Sequence, residues 1–107
     1  MIEEQKIIDE VVELMLDVQV NEDNPQKFIL KFNVNDEKKS AKLNFSFIAN
    51  DEEHSALVGL DAIEKFHCLL MELRELFAKR KPFHYWKSCV FEINFELKNY
   101  EFNFVYD

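Results

Sequence analysis

Apolar residues near the start of the chain recur at intervals of three and four. Ile7, Ile8, Val11, Leu14, Met15 and Val18 share one helical face, with Glu3, Glu10, Glu13 and Asp17 opposite. The spacing predicts an amphipathic helix over 2–19, ended by the turn-forming run Asn21-Glu22-Asp23-Asn24-Pro25. The period then falls to two. Phe28, Leu30, Phe32 and Val34 alternate with Ile29, Lys31 and Asn33, which reads as a strand with one buried face. A polar turn from Asn35 to Ser40 follows. Leu43, Phe45, Phe47 and Ala49 then alternate with Asn44, Ser46 and Ile48, completing an antiparallel hairpin.

Asn50-Asp51-Glu52-Glu53-His54-Ser55 reads as an acidic loop ending in N-cap residues. Helical spacing returns over about 56–81, where Val58, Ala62, Ile63, Phe66, Leu69, Leu70, Leu73, Leu76 and Phe77 form a broad apolar face. Lys79-Arg80-Lys81 suits the negative end of that helix, and Pro82 stops it. Leu60, His67, Met71 and Ala78 make a second, weaker stripe, read as packing for the first helix or as a contact patch. A second hairpin ends the chain. Cys89, Phe91, Ile93, Phe95 and Leu97 point one way, and after a tight turn near Lys98-Asn99 they are joined by Tyr100, Phe102, Phe104 and Tyr106. The expected fold is α+β: a single domain over 1–107 in α-β-β-α-β-β order, with a four-stranded antiparallel sheet and two helices on one face.

Such a fold leaves the other sheet face bare. It presents Lys31, Asn33, Lys42, Asn44, Ser46, Glu92, Asn94, Glu96, Glu101 and Asn103, either as a solvated surface or as a partner site. An exposed sheet edge offers a further place for an added strand. Trp86, in the aromatic connection Pro82-Phe83-His84-Tyr85-Trp86, serves either an interface or the end of a small core.

Composition sharpens this picture. The chain has eleven Phe, one Gly, two Pro and an apolar share of 48%, which excludes disorder and a loop-rich disulfide scaffold. The formal net charge of −8 disfavours nucleic acid and anionic membranes as partners. The charge is uneven: residues 1–26 carry eight acids against Lys6. Glu10, Glu13 and Asp17 on the first helix therefore join Glu92, Asn94, Glu96, Glu101, Asn103 and Trp86 as candidate partner-binding residues, suited to a basic protein. The acidic first residues precede no apolar signal region, and no stretch is long enough to span a bilayer. A cytoplasmic location is expected, with Cys68 and Cys89 reduced.

Chemistry is hard to find in the chain. One glycine permits no Gly-rich phosphate loop. His54, His67 and His84 lack metal-binding spacing, and the adjacent His67 and Cys68 diverge by about 100° on a helix. Four serines have no motif around them, and the carboxylates sit on solvated faces. We therefore expect no catalytic residue, no cofactor and no metal.

The run Glu72-Leu73-Arg74-Glu75-Leu76-Phe77, then Pro82, then Trp86-Lys87-Ser88-Cys89-Val90-Phe91-Glu92, then Tyr100-Glu101-Phe102-Asn103-Phe104-Val105-Tyr106-Asp107, resembles the YezG/EsaG-like immunity proteins. The resemblance covers residues 60–107. Phe83, His84 and Tyr85 separate Pro82 from Trp86 here, where the family has the two adjacent. The resemblance implies a general role and no particular inhibitory residue: an acidic cytoplasmic antitoxin that neutralises a nuclease toxin of competing bacteria. The leading expectation is thus an immunity protein that binds a basic toxin domain directly. The alternatives are a small acidic secretion chaperone for an effector and an enzyme of unrecognised type. A homodimer is left open.

Overall fold

A computed structural model describes residues 2–18, 25–35, 40–80 and 85–106. The element order is α1 (Ile2–Asp17), β1 (Lys27–Asn35), β2 (Ser40–Ala49), β3 (Glu52–Ser55), α2 (Leu60–Arg80), β4 (Ser88–Asn94) and β5 (Asn99–Val105). The strands form one antiparallel sheet in the order β3-β2-β1-β4-β5. The expected four-stranded sheet is therefore corrected to five strands, within an α+β fold.

The extra strand comes from the segment expected to be an acidic loop. Asn50 and Asp51 have φ of 53° and 61°, and they link the paired residues Ala49 and Glu52. Two consecutive left-handed residues make the primed two-residue turn whose twist suits a hairpin, and Asn and Asp accept that conformation best after Gly. Ser55 consequently pairs with Ser46, and Ala56 N–H still donates to Phe45 O at 2.9 Å. That continued pairing delays α2 to Leu60, four residues beyond the expected start.

β1 is the central strand, and its register builds three cross-sheet rows on the helix side. The rows are Phe47–Phe28–Ile93–Tyr100, Phe45–Leu30–Phe91–Phe102 and Leu43–Phe32–Cys89–Phe104. Phe28, Leu30 and Phe32 are fully buried beneath Ile7, Ile8, Val11 and Met15 of α1 and Phe66, Leu70 and Leu73 of α2. Complete burial of each such side chain contributes about 1.5–3 kcal/mol. α2 crosses this face diagonally: Phe66 meets Phe45 of β2 at 5.2 Å, and Phe77 meets Phe104 of β5 at 4.8 Å.

The cover stops short of β5. Tyr100 and Phe102 lie on the helix side, where their alternation puts them, yet each remains 40% exposed. The final hairpin differs from its expected form. β4 ends at Asn94, and the turn occupies 95–98, with Lys98 at φ 54° and Asn94 Oδ1 accepting from Leu97 N–H at 2.9 Å. Phe95 and Leu97 are turn residues for that reason, not strand residues.

Candidate functional site

A broad concavity runs between the second half of α1 and the first half of α2. It encloses about 710 Å³ and is lined by Glu10, Glu13, Leu14, Asp17, Asp61, Glu64, Lys65, Cys68 and Leu69. The carboxylates on α1 recur at intervals of three and four, which keeps them on one face. Ile7, Ile8, Val11 and Met15 hold that helix down on the sheet, which leaves Glu10, Glu13 and Asp17 exposed on the other side, whereas Glu4 in its first turn is buried. Asp61, Glu64, Lys65 and Cys68 repeat the same interval on α2. Leu14 and Leu69 are the half-buried apolar contribution. Five carboxylates therefore converge on a groove that holds one ammonium group.

Part of this arrangement works against the stability of α1. The last turn of α1 contains no basic residue, and Asp17 is its final residue. Helix carbonyls at that end already carry partial negative charge, so an anion there costs a few tenths of a kcal/mol. Asp61, by contrast, lies in the first turn of α2, where the dipole favours it.

The bare sheet face is electrically different. Across it run Ser55–Ser46–Ile29–Glu92–Glu101 and Lys31–Val90–Asn103. Glu92 is tied to Lys27 at 2.9 Å. That hydrogen bond, then the Glu92 charge, hold the Lys27 ammonium above its ordinary pKa against desolvation, with smaller help from Glu101 and Glu96. Lys31 and Lys42 add further positive charge to this face. Asn94 serves its own turn, and Glu96 Oε1 accepts from Gln26 Nε2 at 3.0 Å. Glu101 and Asn103 are exposed on β5. The nine candidate residues thus fall into separate places. Glu10, Glu13 and Asp17 line the groove; Glu92, Glu101 and Asn103 lie on a mixed-charge sheet; Asn94 and Glu96 serve the turns.

Trp86 is fully buried and offers a partner no surface. Its ring sits 6.0 Å from Phe32 and 5.3 Å from Phe104, closing the end of the core. Pro82, Phe83 and His84 of the aromatic connection lie outside the described residues, as do residues 19–24 and 36–39, on which most of the two expected polar turns fall.

Sequence reasoning missed the α2 half of the groove. Asp61 and Glu64 read as solvated helix positions until α2 is docked beside α1. The three-residue spacing of Asp61 and Glu64 matched that of Glu10 and Glu13, and it was the available signal. The other chemistry-bearing groups are dispersed. His54 stacks on Phe47 at 5.2 Å, and His67 meets the Phe32 ring edge-on at 5.8 Å. Cys68 is exposed and Cys89 buried, both as free thiols. Among the described residues, no group of three or more His, Cys, Asp and Glu side chains could hold a metal ion. None of their helices is long and apolar enough to cross a membrane. Compared with known proteins, the chain matches no protein-family model and no curated protein.

Proposed function

We propose that this chain is a protein-binding immunity protein that neutralises a basic, nuclease-type toxin by docking it against the groove between α1 and α2. The observation that carries the reading is the convergence of Glu10, Glu13, Asp17, Asp61 and Glu64 on one open concavity. A positive surface element entering it exchanges carboxylate repulsion for ion pairs, and the excess of negative charge speeds encounter. The resemblance of residues 60–107 to immunity proteins points the same way. Nuclease surfaces carry positive charge because they hold phosphates, so an acidic groove competes directly for the region the toxin needs.

The test is an inhibition titration. A tagged chain should capture a basic nuclease domain from native lysate and abolish its activity at one equivalent. A chain with Glu10, Glu13 and Asp17 reversed to Lys should lose that inhibition. Capture of only the unfolded end of a secreted effector, with no nuclease inhibited, overturns the reading in favour of a secretion chaperone.

A further inference from the structure

The two edges of the sheet are unlike. β3 is four residues long, fully exposed and carries Glu52, Glu53 and His54, the usual means of discouraging strand addition. β5 has seven residues, and Glu101 is its only charged residue. Beside it lie the exposed Tyr100 and Phe102 rings, stacked 6.4 Å apart, with Phe102 also 5.7 Å from Phe91. An apolar depression of about 300 Å³, lined by Val12, Leu16, Ile93, Phe95 and Tyr100 among others, adjoins this ledge. Leu16 in its wall is 56% exposed.

The hydrogen-bond phase says which backbone groups β5 presents. Val34 N–H donates to Lys87 O at 2.8 Å and Phe95 N–H to Gln26 O at 2.9 Å. With the β1–β4 register, this directs the backbone of Cys89, Phe91 and Ile93 toward β1. Ser88, Val90, Glu92 and Asn94 therefore face β5, where they pair with Val105, Asn103, Glu101 and Asn99. The N–H and C=O groups of Tyr100, Phe102 and Phe104 are left pointing out from the edge.

We infer that β5 pairs antiparallel with β5 of a second copy about a two-fold axis through Phe102. Tyr100-Glu101-Phe102-Asn103-Phe104 reads aromatic, polar, aromatic, polar, aromatic in both directions. A two-fold contact demands that self-complementary pattern, because each residue meets its mirror position. Phe102 then exchanges backbone hydrogen bonds with its own copy, and Tyr100 does so with Phe104. On the open face Glu101 falls opposite Asn103. Centring the pair on Glu101 would instead set two carboxylates face to face, which is disfavoured. Copies with a net charge of −8 repel one another, and β5 brings only one carboxylate per copy to the contact. The dimer does not rest on the toxin-binding reading, since it uses none of the groove.

Sedimentation velocity over a micromolar concentration series tests this, together with two substitutions on the exposed face of β5. Asn103→Lys sets two ammonium groups opposite Glu101 and should tighten the dimer about tenfold. Asn103→Glu sets carboxylates there and should weaken it about tenfold. Hydrogen exchange should protect the Tyr100, Phe102 and Phe104 amides as concentration rises, with unchanged circular dichroism in both variants. A monomer throughout the series overturns the inference, and so does a dimer indifferent to both substitutions. Protection of those amides only in a complex with a captured partner would also overturn it and assign the edge to that partner.

Discussion

Arg74 Nε donates to the backbone carbonyl of Trp86 at 2.8 Å, although Arg74 is itself only 5% exposed. The guanidinium also lies 4.7 Å from the centre of the Tyr85 ring. One buried cation thus fixes the end of the connection between α2 and β4 and sets Trp86 at the edge of the core. Arg74→Ala should lower stability by about 2–3 kcal/mol, because a buried carbonyl loses a charged donor. Arg74→Lys should recover little of it, since an ammonium cannot reproduce the planar donor and the ring stacking together. Urea unfolding of the three proteins measures both.

The groove should show opposed effects on stability and binding. Asp17→Lys replaces an anion with a cation at the C-terminal end of α1. It should stabilise the free protein by about 0.5 kcal/mol, read as a small rise in Tm, while weakening toxin capture. Charge reversal at Glu92, Glu96 and Glu101 should leave capture unchanged, because the sheet face is balanced by Lys27, Lys31 and Lys42. A loss of capture from the sheet variant alone would move the site there.

The two thiols should behave oppositely toward a water-soluble alkylating reagent. Cys68 is exposed and should react in the native protein; Cys89 should react only on unfolding. Burial pushes the Cys89 thiol up from 9.0 to about 12. The unfolded chain ionises this thiol near pH 9, whereas the folded one keeps its proton. Its contribution is therefore intact below about pH 9 and is lost as pH rises toward 12, by roughly 1.4 kcal/mol per unit. Comparing the pH dependence of unfolding with that of Cys89→Ala isolates this loss.

Asn50→Ala should cost about 1–2 kcal/mol, since alanine resists the left-handed conformation that the turn requires. Replacing Asp51 also removes the hydrogen bond that its carboxylate accepts from Gln26 Nε2 at 3.2 Å, while its backbone N–H still donates to Gln26 Oε1 at 2.9 Å. Asp51→Gly should consequently gain less than its backbone freedom suggests. Thermal melts of the two variants separate backbone strain from the lost hydrogen bond.

What was legible in the sequence follows from where information is stored. Periods of 3.6 and 2 declared α1, β1, β2 and the helix-side rows of β4 and β5, because burial of one face imposes them. β3 has no buried side chain and so no alternation; only the pair Asn50-Asp51 announced it, through backbone conformation. Ala56 and Val58 satisfy a helical and an extended pattern equally, so the start of α2 was misplaced. Tyr100 and Phe102 face the expected way, but how far a helix reaches over a strand depends on its docking. The same holds for the groove. Its α1 half was visible as a charged helix face, while Asp61 and Glu64 joined it only through helix–helix packing.

The sheet is also two hairpin systems joined at one seam. β1, β2 and β3 are consecutive, as are β4 and β5, whereas β1 meets β4 only by bringing Phe28 beside Ile93 and Leu30 beside Phe91. Hairpins close in about 1–10 μs, but the seam must first restrict the long chain between its strands. Closure of the β1–β4 seam is therefore the step expected to limit the folding rate. Until it is complete, the Phe-rich faces of both halves stand open to other chains, which makes the time spent unjoined, more than final stability, the measure of how cleanly this protein is made.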